Sequence, residues 1–124
     1  MHNYKDLKVW NKSRELVHQI YALTADFPKT EMYGLTSQIR RSVVSISVNI
    51  AEGSGRNTNK DFIHFLHIAY GSALETETLI LLSCDLRLIG TDQMNSMVLK
   101  INEIEKMLFS FIKNLKIKTE PSSQ

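Results

Sequence analysis

Glu15-Leu-Val-His18 has the Glu-x-x-His spacing that places a carboxylate and an imidazole on one helix face, one turn apart. A bundle metal site of that kind needs two such units and two more glutamates, all facing inward. The chain carries the unit once, and at helical spacing both residues point away from the Leu16/Ile20 stripe, so a solvated helix face is the better reading. His64 and His67 repeat the three-residue spacing but flank Phe65 and Leu66 and lack a third ligand at useful distance. Neither a metal nor a cofactor is expected. Gly53-Ser54-Gly55-Arg56 has the small residues of a phosphate loop, yet it follows a helical pattern and lacks the Gly-Lys-Ser/Thr ending. It reads as a helix stop and a turn. Cys84 is the only cysteine, which excludes an intrachain disulfide and a Cys-cluster zinc site. It falls on an apolar stripe, where cysteine acts as a small hydrophobe. Ser42, Ser45 and Ser47 sit in mid-helix without a glycine-framed nucleophile elbow. No catalytic residue is expected, and the chain is not read as an enzyme.

A different polar set suggests contact rather than catalysis. At 100° per residue, Arg41, Ser45 and Glu52 share one strip of a helix with Asn49 beside it. Val44, Val48 and Ala51 add apolar surface on the side away from Ile39, Ile46 and Ile50. In the next helical segment Ile63, Ile68, Leu74, Leu79, Leu81, Leu82 and Leu86 spread around the cylinder, and Glu75 lies beside Gly71 and Ser72. A helix apolar all round is normally buried all round, and an exposed patch of this kind marks an interface. Self-association is therefore expected, with the polar strip fixing register; the alternatives are an irregular bundle whose loops and tail cover the excess, and a plain solvent face.

These residues must be positioned by helices. Val9, Ser13, Leu16, Ile20, Leu23 and Phe27 follow three-and-four spacing and predict a helix over 6–26, stopped by Pro28. Leu35, Ile39, Val43, Ile46 and Ile50 predict one over 35–53, with a glycine supplying the left-handed stop. Phe62, Leu66, Ala69, Ala73, Ile80 and Cys84 predict one over 59–89, started by a Thr58/Asp61 capping pair and ended at Gly90. Met94, Val98, Ile101, Leu108, Ile112 and Leu115 predict the last over 92–116, with Thr91 as its cap and Asp92 at the positive end of its dipole. Short connections make neighbours antiparallel. The fold class is all-α, an up-and-down antiparallel four-helix bundle over 1–118, with 119–124 a frayed tail.

At 124 residues, 43% hydrophobic and 23% charged, the chain is an ordinary globular domain. Its polar N-terminus lacks a signal-peptide core, and no apolar stretch nears the roughly 20 residues of a membrane span. A soluble, cytoplasmic protein follows, with neither a membrane nor a small-molecule substrate as partner. The net charge of +2 is mild, but the topology distributes it unevenly. One pole collects Lys5, Lys8, Lys12, Arg56, Lys60, Lys113, Lys116 and Lys118 against Asp6, Glu52, Asp61 and Glu120. The other collects Asp26, Glu31, Asp85 and Asp92 against Lys29 and Arg87. The basic pole either keeps the surface soluble or, multiplied in an oligomer, attracts phosphate backbones.

Tyr4-Lys-Asp-Leu-Lys-Val-Trp10, Phe27-Pro28 with Glu31-x-Tyr-Gly-Leu35, Gln38-Ile-Arg-Arg41, Ser45-Ile-x-x-Asn49-Ile-Ala-Glu-Gly53, Gly55-Arg56, Phe62 through Phe65-Leu66, and Ala69-x-Gly71-Ser72-x-x-Glu75 together resemble the 23S rRNA-intervening-sequence proteins. The resemblance covers nearly the whole chain. It implies a four-helix bundle assembled as a ring-like homopentamer without established enzymatic activity. That family takes its name from reading frames inside insertions in bacterial 23S rRNA genes. The related accessory variability proteins of diversity-generating retroelements form similar pentamers that bind nucleic acid and a reverse transcriptase. The leading expectation is a homo-oligomer that binds or scaffolds RNA, or a nucleic-acid-processing enzyme, through its basic pole. The runner-up is a protein–protein adaptor or structural oligomer with no nucleic-acid role.

Overall fold

The four apolar stripes become four helices in the structure, a computed structural model that describes residues 2–119. They are α1 (Lys8–Thr24), α2 (Leu35–Ser54), α3 (Asn59–Asp85) and α4 (Thr91–Thr119), with single 3-10 turns at Tyr4–Asp6 and Lys29–Glu31. Consecutive helices are neighbours, α4 closes back onto α1, and neither diagonal pair is in backbone contact. This is the up-and-down four-helix bundle that the periodicity predicts.

The α1 stripe is buried at every position from Val9 to Phe27. In α2, Ile39, Val43, Ile46 and Ile50 are buried and Leu35 half-buried. In α3, Phe62, Leu66, Ala69, Ala73 and Ile80 are buried, whereas Cys84 is only half-buried and Ser83 takes the inner position. In α4, Ile101, Leu108, Ile112 and Leu115 are joined by Ile104, while Met94 and Val98 are half-buried. Each fully buried Leu or Ile side chain contributes about 1.5–3 kcal/mol, so these layers carry the fold.

The α2–α3 seam is the most extensive helix pairing. It is lined by small residues. A Cβ on Gly53 would lie 2.7 Å from Phe65 Cβ and 2.8 Å from Phe62 Cδ1. Further along, the hydroxyls of Ser42 and Thr76 meet at 2.8 Å, and Ser72 donates to Ser45 Oγ at 2.9 Å. The hydroxyls of Ser13 and Ser47 make the equivalent contact between α1 and α2 at 2.8 Å. Burying these hydroxyls is tolerated because each finds a partner.

Helix ends depart from the sequence-based expectation in instructive ways. Asn3 Oδ1 accepts from Lys5 N–H at 3.2 Å and sets up the first 3-10 turn. The extended Leu7 (φ −79°, ψ 123°) then delays α1 to Lys8. Thr58 Oγ1 accepts from Asp61 N–H at 3.1 Å, the cap that its spacing suggests. Gly55, however, has φ −87°, so α2 stops without a left-handed glycine. The left-handed residue belongs instead to α3, which ends at Asp85 rather than near Gly90. There Arg87 adopts φ 61°, and Leu88 N–H reaches back to Ser83 O at 2.9 Å. Thr91 is the first helical residue of α4 and not its cap; Gly90 N–H donates to Gln93 Oε1 at 3.0 Å. Helix α4 runs through Thr119, so Lys118 and Thr119 are helical. The rest of the expected tail, 120–124, lies outside the described residues.

Two substitutions test these features in opposite directions. Arg87→Gly relieves a left-handed conformation that costs an L-residue roughly 1 kcal/mol, and should raise the thermal midpoint. Gly53→Ala forces a methyl group into Phe62 and Phe65, and should destabilise by about 1–3 kcal/mol in denaturant melts.

Candidate functional site

The start of α1, the 55–58 turn, the start of α3 and the end of α4 converge at one end of the bundle. His2 N–H donates to Ser54 O at 3.0 Å. Its ring packs 5.0 Å from Phe62 and 6.0 Å from Phe111, which themselves meet edge-to-face at 5.2 Å. Around this aromatic plug stand Lys5, Lys8, Arg56, Lys60, Lys113, Lys116 and Lys118, all exposed. Arg56 lies over the Phe65 ring at 4.6 Å, and Lys5 sits 5.9 Å from the Tyr4 ring.

Lys12 differs from the others. It is half-buried and forms the one salt bridge among the described residues, 2.7 Å to Glu103 on α4. The hydrogen bond to Glu103 holds its pKa above the ordinary lysine value, and the same contact holds Glu103 below the ordinary carboxylate value. Lys12 thus ties the α1–α4 edge, the least extensive of the four helix pairings around the bundle. Asp6, Glu52 and Asp61 are exposed at this pole; Glu120 lies outside the described residues.

The polar strip on α2 divides into two parts. Ser45 and Asn49 are half-buried and bonded within the chain: Asn49 Nδ2 donates to Ser45 O at 2.8 Å and to Ser45 Oγ at 2.9 Å. With Ser72 they complete the polar part of the α2–α3 seam. Arg41, Glu52 and, on α3, Glu75 are exposed and have no hydrogen bond or salt bridge from their side chains among the described residues. Val44 is half-buried against the core, and Val48 is exposed.

Apolar exposure concentrates on α3. Ile68, Leu74, Leu81, Leu82 and Leu86 are all exposed, whereas Leu79 is buried and Ile63 packs against the core. Gly71 lies among them, and a Cβ built there meets nothing within 4 Å. The α1–α2 connection adds Met32 and Tyr33, the latter 94% exposed.

The residues considered for chemistry do not assemble. Glu15, His18, His64 and His67 are exposed, and no group of three or more His, Cys, Asp or Glu among the described residues is placed to hold a metal ion.

One titratable cluster has no counterpart in the sequence-based expectations. Glu77 on α3 faces Glu105 on α4, and Glu105 Oε2 is buried without a partner among the described residues. With its amide nitrogen assigned to face the carboxylates, Asn102 donates to Glu77 Oε1 at 3.3 Å and Glu105 Oε1 at 3.1 Å. Desolvation, then the hydrogen bond and charge of Glu77, push the Glu105 carboxyl up to about 8. Its folded pKa therefore lies above the unfolded value of 4.5, so the proton stabilises the fold fully below pH 4.5. That stabilisation is lost as pH rises through about 8. The thermal midpoint of the native chain should fall over this range relative to that of Glu105→Gln, as read by circular dichroism melts. The only sequence signal was a glutamate beside the Ile101/Leu108 stripe; the partner depends on the α3–α4 register.

Comparison with known proteins agrees with this architecture. No curated protein matches the chain. A crystal structure of a protein of unknown function from the S23 ribosomal protein family of Bacteroides thetaiotaomicron superimposes with a TM-score of 0.77 at 33% identity. The match covers 85% of this chain and 98% of that one. The pattern of 23S rRNA-intervening sequence proteins matches residues 5–110. With that match spanning most of its four helices, the chain belongs to the 23S rRNA-intervening sequence protein family.

Proposed function

We propose that this chain is a non-enzymatic subunit of a homo-oligomeric ring, a pentamer, which binds RNA through the basic pole of each bundle. The observation that carries the nucleic-acid part is the state of the cations. Of the eight at that pole, only Lys12 is in a salt bridge among the described residues, which leaves a cluster of hydrated ammonium and guanidinium groups around one end. Such groups gain by displacing counterions from a phosphate backbone. The assembly part is supported by the exposed leucines of α3 and by Arg41, Glu52 and Glu75, which are exposed and unpaired among the described residues. Apolar surface flanked by polar groups is the composition of a subunit contact. The ring and its number of subunits come from the family resemblance. Repeating a mildly basic pole around a ring strengthens its field without requiring a strongly basic chain.

The test is RNA binding measured against salt. A single-stranded RNA should bind with log K falling linearly with log salt. Reversing Arg56, Lys113 and Lys116 to Glu together should weaken binding and reduce the slope by about one for each phosphate that is no longer neutralised. Affinity and slope unchanged by the triple reversal would contradict the proposal. An intact oligomer with no affinity for RNA would point to the protein–protein adaptor instead.

A further inference from the structure

At the end of the bundle opposite the basic pole, a cleft of about 720 Å³ opens between the end of α1, the 25–34 connection and the first turns of α2. That volume lies in the range of small-molecule sites, about 300–1,000 Å³. The charged side chains on its wall are Lys29, Arg40 and Arg41, and no carboxylate lines it.

Arg40 is half-buried and held in place from below. Its Nε donates to Thr24 Oγ1 at 2.8 Å, Nη2 reaches Tyr21 O at 3.4 Å, and the guanidinium lies 4.5 Å over the Tyr21 ring. Among the described residues no carboxylate pairs with it. A fixed, partly desolvated cation of this kind favours an anion.

Two further features of the same cleft lack an acceptor. Helix α2 starts with Gly34 at its N-cap and no side-chain cap. The Leu35 N–H meets Glu31 Oε1 at 3.4 Å, while the N–H groups of Thr36 and Ser37 find no acceptor among the described residues. Independently, Thr36 lines the cleft, is only 8% exposed, and its Oγ1, itself buried, has no hydrogen-bond partner among the described residues. Buried hydroxyls are nearly always paired, so this orphan leaves a spare donor in the cleft wall, beside three cations and a helix start, which a turn about its own Cα–Cβ bond presents to a ligand.

We infer that this cleft binds the phosphate group of a small organic phosphate. Three cations with the Thr36 hydroxyl and the start of α2 match a doubly charged head with several acceptor oxygens better than a single carboxylate. Phe27, Met32 and Val44 supply an apolar wall for the organic body. The assignment goes beyond the sequence expectation of no small-molecule partner, and it does not depend on RNA binding at the other pole.

The experiment is calorimetric titration of the full chain with phenyl phosphate and with inorganic phosphate, at constant ionic strength. Phenyl phosphate should bind saturably, one per chain, and more tightly than inorganic phosphate. Lys29→Gln should weaken it about 10-fold, the loss of one charge-assisted hydrogen bond. Thr36→Val should raise the thermal midpoint of the free chain, by removing an unpaired buried hydroxyl, and yet weaken phenyl phosphate binding. A merely structural Thr36 would give the first effect without the second. Lys106→Glu, at an exposed position in the middle of α4 away from both poles, should leave this binding unchanged. The inference is overturned by absence of saturable binding, by equal affinity for the two phosphates, by undiminished affinity in Lys29→Gln or Thr36→Val, or by an equal loss in Lys106→Glu.

Discussion

The closeness of α2 to α3 governs much of what the rest of the chain does. Gly53 leaves no room for a methyl group against Phe62 and Phe65, and the seam beyond it is filled by Ser42, Ser45, Ser72 and Thr76 rather than by leucines. Small side chains let two helix backbones approach, and paired hydroxyls remove the penalty of burying polar atoms there. The cost appears elsewhere. With the seam occupied by small residues, Leu74, Leu81, Leu82 and Leu86 remain on the outer surface of α3. Apolar surface of that kind on a small protein commonly marks an interface, and it is the physical basis of the proposed assembly.

The same packing arranges charge at the two ends. Bringing His2, Phe62 and Phe111 together draws four element ends into one pole and places their lysines and Arg56 around it. At the other end, the 25–34 connection carries Lys29 to the side of α2 that presents Arg40 and Arg41. The two basic surfaces differ in character. The first is exposed and follows the periphery of the bundle, as suits a polymer backbone. The second is concave, partly desolvated and backed by apolar side chains, as suits a small ligand.

The fold was legible in the sequence wherever polar and apolar residues contrast. The α1 stripe from Val9 to Phe27 is buried throughout, because one face is apolar and the opposite face carries Arg14, Glu15 and His18. In α3 that contrast is lost. Leucines occupy most angles, so periodicity cannot tell that Leu79 is buried while Leu81 and Leu82 are exposed. Its end was misplaced for a different reason: an arginine, not a glycine, takes the left-handed turn, and no residue type announces it. The Arg41–Ser45–Asn49–Glu52 strip was visible as a strip, but its division into an internal part and an outward part depends on Ser72 across the seam. The Glu77–Glu105 pair and the cleft beside Thr36 were not legible, since each joins residues from separate helices or connections whose register is set by packing.

Assembly is the claim on which the functional account rests, because the exposed leucines of α3 and the multiplied basic pole both depend on it. Native mass spectrometry of the purified chain tests it most directly. The account predicts a dominant species at five times the 14.2 kDa chain mass, stable to dilution. A 14.2 kDa monomer at every concentration would contradict it.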